Sequence, residues 1–326
     1  MSRKEDIYYE SRDGRTKIHG VIWKPDCMLK EQPENPRLVL QIVHGMEEYI
    51  DRYDEFAHFM NKQGICVIGN DHLGHGQSVS DEVVHGYFGM EDIATVVVRD
   101  VHRLKKIVQK ELPDVPFFIM GHSMGSFITR NYICRYGSGI RGAVIMGTGY
   151  QPAVVLGLGK FVARTLALFR GWEYKSPLLQ KMAFGTYQKR IEKPLTDTDW
   201  LSVNADNVRR YNEDPLCGFG FTVNGFYTLF EFVKRAQSAS WRRQIPKELP
   251  MFFVAGTEDP VGNYGEGVKK AYALYEKAGI RDLSIKLYDE DRHEILNEDD
   301  REQIAQDIYE WLDRHMPTEK ETESTT

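Results

Sequence analysis

An α/β fold is predicted, a mostly parallel sheet with helices on both faces, and three observations predict it. Short, continuous apolar runs recur: RLVLQIVH from Arg37, ICVIGND from Ile65, PFFIMGHS from Pro116 and RGAVIMG from Arg141. Such runs mark strands buried on both faces, as parallel sheets require. Between them lie segments with helical spacing, such as DRYDEFAHFMNKQ from Asp51 and DIATVVVRDVHRLKKIVQKEL from Asp92. The rhythm then breaks from about Gly149 to about Arg243, where helical patterns and aromatic residues dominate, and resumes at ELPMFFVAGTED.

Taken in order, the chain opens as an antiparallel hairpin, IYYES and TKIHGVIW around an Asp13-Gly14 turn. PDCMLKEQPENP is a polar loop, after which strands and helices alternate up to RGAVIMG. After the break come the strand MFFVAG, a helix over YGEGVKKAYALYEKA, the strand LSIKLYDE and a last helix within EDDREQIAQDIYEWLDRHM. The predicted division is therefore 1–148 as the first part of the α/β core, 149–243 as a helical cap insertion and 244–316 as the second part. The polar tail over 317–326 is expected to be disordered.

Bulk properties narrow the function. The 326 residues carry a net charge of −6 with no basic block, which argues against a nucleic-acid partner. No secretory signal and no apolar run of spanning length is visible, and Cys27, Cys66, Cys134 and Cys217 are scattered. A cytoplasmic protein with reduced thiols is the simplest expectation.

The chemistry concentrates in GHSMG. Ser123 sits where a strand stops and a helix begins, with Gly121 and Gly125 two residues away on either side. G-x-S-x-G in this context presents a serine as nucleophile. A plain helix-capping serine is the competing reading. A serine hydroxyl needs a base to take its proton, and the base needs an orienting acid. In chain order, Asp259 follows the strand MFFVAG and His293 follows LSIKLY, both at carboxyl ends of strands, where open parallel sheets place ligands. Glu258, Asp289 and Asp291 rival Asp259, but the latter two lie too close to His293 along a turn. Oxyanion donors are expected at the amide of Met124, which opens the helix, and of Met46, where Gly45 lets the backbone turn.

Other histidines read more simply. His122 is expected to pack and hydrogen-bond. His72 and His75, in DHLGHG, are expected to hold the floor of the site, since no carboxylate or cysteine spacing supports a metal. HExxH fails because Asn297 occupies its last position. No metal or cofactor is expected.

HGMEEYIDRY, NDHLGHGQS, GHSMGS, GTEDPVG and RHEIL, in that order, together resemble the monoacylglycerol lipase and lysophospholipase branch of the α/β-hydrolases. The resemblance runs from about Arg37 to the last helix and includes NEDPLCGF in the insertion. It implies an α/β-hydrolase fold and a serine hydrolase of single-chain carboxylic esters, with Ser123 as nucleophile, Asp259 as acid, His293 as base and the Met46 and Met124 amides as oxyanion donors. Where that family often reads HGxGEH, Glu47 and Tyr49 replace the glycine and histidine.

In the insertion, AVVLGLGKFVARTLALFRGW places Val154, Leu158, Phe161, Val162, Leu166 and Phe169 on one side of a helix, with Lys160 and Arg164 opposite. The expectation is that Leu158, Phe161, Val162 and Leu166 line an acyl trough, on a face that packs on the core or touches a membrane surface transiently. Two rival functions stand beside the esterase. An aminopeptidase or amidase would use Glu173, Glu192, Asp197, Asp199 or Asp206 to hold an amine, and a non-catalytic binding protein would need a damaged triad.

Overall fold

The computed structural model describes residues 3–81, 83–89 and 92–317. Strands β1 (Arg3–Glu10) and β2 (Lys17–Lys24) form the expected antiparallel hairpin. The Asp13 carboxylate closes the turn by accepting from the amides of Arg15 at 2.8 Å and Thr16 at 2.9 Å. That is the side-chain mimicry of a backbone turn that favours aspartate there.

The apolar runs form β3 (Val39–Val43), β4 (Cys66–Asn70), β5 (Phe117–His122) and β6 (Gly142–Met146). After the break come β7 (Met251–Gly256) and β8 (Leu283–Tyr288). The eight strands lie in the order β1-β2-β4-β3-β5-β6-β7-β8, antiparallel at the hairpin edge and parallel from β4 to β8.

Alternate residues serve opposite faces. Leu40, Val67, Phe118, Val144 and Val254 pack with α1 (Asp54–Lys62) and α10 (Arg301–Arg314). Val39, Ile119, Ile145 and Phe253 pack with α2 (Ile93–Glu111), α3 (Met124–Tyr136) and α9 (Glu266–Lys277). This is the predicted doubly covered α/β sheet.

Between β6 and β7 run α4 (Ala153–Arg170), α5 (Pro177–Phe184), α6 (Ala205–Glu213), α7 (Val223–Ala236) and α8 (Ala239–Arg242). The expected tail lies, beyond Pro317, outside the described residues.

Helix α4 corrects the reading of its faces. Its buried stripe is Leu156, Gly159 and Ala163, while Leu158 and Phe161 are 55% and 68% exposed. Gly159 permits this, because a Cβ there would meet the Phe230 ring of α7 at 2.8 Å. Lys160 and Arg164, expected outside, turn toward α7 and bond Glu231 and the Tyr227 hydroxyl. Val162 and Leu166 are partly buried against the core. Small residues thus set the inner face by close approach, which a search for large apolar side chains overlooks.

Candidate active site

Strand β5 runs into α3 through the elbow at Ser123. The two glycines are needed for contact rather than for torsion: a Cβ on Gly125 would lie 1.9 Å from the Val43 carbonyl, and one on Gly121 would lie 2.3 Å from the Gly125 carbonyl. The strained torsion falls on Ser123 itself, at φ 55° and ψ −121°. A non-glycine residue held there costs on the order of 1–3 kcal/mol, so the surrounding structure must enforce it. The Ser123 amide donates to the Met146 carbonyl at 3.0 Å, which ties the elbow to β6. Its side chain makes no capping bond to α3, so the capping alternative fails.

Asp259 and His293 arrive from the ends of β7 and β8. These loops are stitched together: the Thr257 amide donates to the Tyr288 carbonyl and the Glu258 amide to the Asp291 carbonyl, both at 2.8 Å. Gly256 allows it, since a Cβ there would meet the Asp291 carbonyl at 2.1 Å. Asp259 is fully buried, and its Oδ1 accepts from the Val261 amide at 2.8 Å. Its Oδ2 stands 3.0 Å from His293 Nδ1. That pair is at ion-pair distance without the angle of a formed hydrogen bond, and neither atom has another partner among the described residues. Catalytic contacts are often this loose before substrate binds.

The rivals are placed elsewhere. Glu258 and Asp289 point to solvent, and burial beside Asp300 and Glu298 pushes the Asp291 carboxyl up to about 8.

Ser123, His293, Met46 and Met124 line one cavity of about 670 Å³, within the range of small-molecule sites. Met124 is the first residue of α3, where the helix cannot satisfy its own amides and its dipole favours negative charge. Val155, Leu156, Leu229, Phe230 and Val233 give the lining an apolar part. Leu158, Phe161, Val162 and Leu166 are not among the lining residues, which follows from the orientation of α4.

The other histidines around the site are buried, and His122 lines the cavity itself. His122 Nδ1 lies 3.1 Å from both Glu48 Oε1 and the Tyr53 hydroxyl, and its Nε2 lies 3.2 Å from the His293 carbonyl. His44 and His72 pack with ring centroids 4.1 Å apart, and His75 packs against Phe88, Phe219 and Phe221. Burial lowers His72 to about 4 and His75 to about 3, so both are neutral packing groups at pH 7.

Of the cap carboxylates considered for an amine, only Asp197 reaches the cavity wall. Asp199 accepts from the Leu195 and Thr196 amides, Asp206 pairs with Arg209, and Glu173 and Glu192 are exposed. Sequence reasoning assigned no role to Arg52, Glu294, Trp200 or Tyr187. Yet the Trp200 ring packs tilted against His293, centroids 5.2 Å apart, and edge-on to Tyr187, centroids 4.9 Å apart. The available signals were Arg52 inside HGMEEYIDRY and Glu294 inside RHEIL.

Glu47 has a measurable consequence. It adopts φ 56°, the left-handed region that suits a glycine at this position. Burial pushes its carboxyl up to about 7, opposed by the Gly220 and Phe221 amides and the Lys175 charge. The folded state therefore binds a proton more tightly than the unfolded chain, whose value is near 4.5. Stability contributed by the protonated form is complete below pH 4.5, declines up to about pH 7 and is then gone. Each unit is worth about 1.36 kcal/mol, so the loss is on the order of 3 kcal/mol. Glu47→Gln keeps the neutral shape at every pH. It should be more stable than wild type at pH 8, and the gap should narrow by pH 5 in urea unfolding. An equal gap at both pH values would refute this account.

Comparison with known proteins places the chain in a family. Residues 34–300 match the model of the Hydrolase_4 family, described as serine aminopeptidase, S33. A monoglyceride lipase of Mus musculus is 31% identical over 278 residues, covering 85% of this chain and 79% of that protein. A monoacylglycerol lipase of Mycolicibacterium smegmatis is 26% identical over 305 residues, covering 93% and 95%. Among solved structures, a thermostable carboxyl esterase from Bacillus coagulans in complex with glycerol matches with a TM-score of 0.87 at 29% identity, covering 96% of this chain and 99% of that one.

Proposed function

We propose that this chain, which belongs to the Hydrolase_4 family, hydrolyses monoacylglycerols and similar single-chain esters through an acyl-enzyme at Ser123. It is a carboxylic ester hydrolase of the monoacylglycerol lipase branch of the α/β-hydrolases. The observation that carries the residue assignment is the convergence on one cavity of a strained, uncapped Ser123 and a His293 faced by a buried carboxylate.

Ser123 attacks the ester carbonyl while His293 takes the hydroxyl proton and Asp259 stabilises the imidazolium. The amides of Met46 and Met124 hold the oxyanion. His293 then protonates the leaving alcohol, and water, activated in the same way, frees the acid. Residues 149–243 act as a cap over this site. The apolar lining from Leu156, Leu229, Phe230 and Val233 suits an acyl tail, each buried CH₂ contributing about 0.8 kcal/mol. An amidase is not favoured, because the relatives above are ester hydrolases and the cap presents Asp197 alone of the carboxylates proposed to hold an amine.

The outer face of α4 supports contact with a lipid surface. Val154, Phe161, Leu168 and Phe169 are 82%, 68%, 85% and 81% exposed and follow one side of the helix. Among the described residues, no helix is long and apolar enough to cross a membrane. Four free cysteines fit a reducing cytoplasm.

One experiment tests substrate and surface together: rates on a long-chain monoacylglycerol in phosphatidylcholine vesicles, on p-nitrophenyl butyrate and on an aminoacyl anilide. The expected order is monoacylglycerol, then butyrate, with the anilide at background. Leu158→Ser with Phe161→Ser should lower the vesicle rate about tenfold and leave the butyrate rate unchanged. A preference for the anilide would overturn the ester reading. An unchanged vesicle rate in the double variant would remove the surface contact.

A further inference from the structure

In the wall of the cavity, formed there by Glu48, Glu294 and Tyr211, lies a charged group centred on Arg52 that the proposed chemistry does not use. Arg52 has a side chain only 10% exposed, and its guanidinium forks onto Glu294, with Nη1–Oε1 at 2.5 Å and Nη2–Oε2 at 2.8 Å. Nη1 also reaches Glu48 Oε2 at 3.2 Å, and Nη2 reaches Asn207 Oδ1 of α6 at 3.2 Å. Asn207 Nδ2 donates to Glu294 Oε2 at 2.7 Å, and the Tyr211 ring of α6 covers the guanidinium at 5.0 Å.

Each carboxylate abuts a different piece of the site. Glu294 follows His293 directly in the chain, and its amide donates to the Leu201 carbonyl at 2.7 Å. Glu48 Oε1 accepts from the Gly45 amide at 2.5 Å, one residue before Met46, and from the Tyr53 hydroxyl at 2.9 Å. Burial would raise the Glu294 carboxyl, but the Arg52 charge and its hydrogen bonds hold it well below its ordinary value, so the pair is ionised.

Stability alone does not explain such a group. A buried ion network costs so much desolvation that well-packed apolar side chains serve stability as well or better. What a planar, bidentate fork supplies is fixed geometry.

We propose that Arg52 is a positioning residue: through Glu294 it fixes the loop carrying His293, and through Glu48 the turn carrying the Met46 amide. One guanidinium thereby sets general base and oxyanion donor in a common register, and Asn207 ties that register to the cap. The inference rests on the assignment of His293 as base.

Arg52→Lys keeps the charge but cannot fork onto Glu294 while holding Glu48. Glu294→Gln keeps the shape and loses the charge. With p-nitrophenyl butyrate, each should lower kcat by about 10- to 100-fold, as a misplacement of about 1 Å does, with KM within twofold of wild type. The double variant should be no worse than the poorer single, because both break one device. Wild-type kcat in either folded variant, or a rise in KM with kcat unchanged, overturns the proposal. Should Arg52→Lys fail to fold, Glu294→Gln decides. Failure of both to fold also overturns it, since the network would then serve stability. His293→Ala separates the layers: if it is inactive while Arg52→Lys is normal, only the positioning role falls, and if it is active, the base was misassigned.

Discussion

Ser123→Ala should fold as the wild type does and lose ester turnover by about 10³-fold or more. The folding half of that expectation comes from the elbow. Ser123 holds φ 55° because Gly121 and Gly125 let β5, β3 and α3 close around it, and its amide is bonded to Met146. Its hydroxyl makes no capping bond, so removing the oxygen leaves no backbone donor unsatisfied. Alanine meets the same torsional cost as serine, and Tm should therefore move little. The activity half comes from chemistry: with no oxygen to acylate, His293 has no proton to take, and only the oxyanion donors and the shape of the cavity remain. The check is kcat on p-nitrophenyl butyrate together with labelling by a fluorophosphonate. Labelling of the alanine variant at wild-type rate, or turnover within tenfold, would mean that another residue is the nucleophile.

The sheet was legible from Arg37 onward because strands buried on both faces leave uninterrupted apolar runs, and β3, β4, β5, β6 and β7 fall inside them. Of the proposed triad, Ser123 and Asp259 drew notice because they follow such runs, β5 and β7, whereas His293 follows β8, a half-exposed strand interrupted by Ser284 and Lys286, and was reached through chain order instead. The cap was not legible in the same way. Helix α4 is apolar on two sides, and its inner side is marked by Gly159 and Ala163, whose smallness is the contact. Polar residues misled for the same reason, since Lys160 and Arg164 are satisfied by Glu231 and Tyr227 on α7, which no local pattern announces. The role proposed for Arg52 was invisible in the sequence because its partners come from three separate stretches: Glu48, Asn207 and Glu294.

Asp259→Asn should cost on the order of 10⁴ in kcat, as the equivalent change does in the serine protease triad. The fully buried carboxylate faces His293 Nδ1 at 3.0 Å, and its other oxygen is held by the Val261 amide. A carboxylate there keeps the proton of neutral imidazole on Nδ1, which leaves Nε2 free to accept from Ser123. Asparagine can turn its NH₂ group toward Nδ1 and so favour the opposite tautomer, with Nε2 protonated and useless as a base. It also removes the negative charge that stabilises the imidazolium formed during attack. The substitution changes one buried atom for another of equal size, and the Val261 bond survives on the amide oxygen, so the loss should appear in kcat with KM and Tm nearly unchanged. Asp289→Asn is the matched control: Asp289 is exposed four residues before His293 and should leave kcat within twofold. Reversal of the two results, with Asp289→Asn severe and Asp259→Asn mild, would show that the acid comes from the β8 loop. If both are severe, the charge of the whole loop cluster matters more than the tautomer.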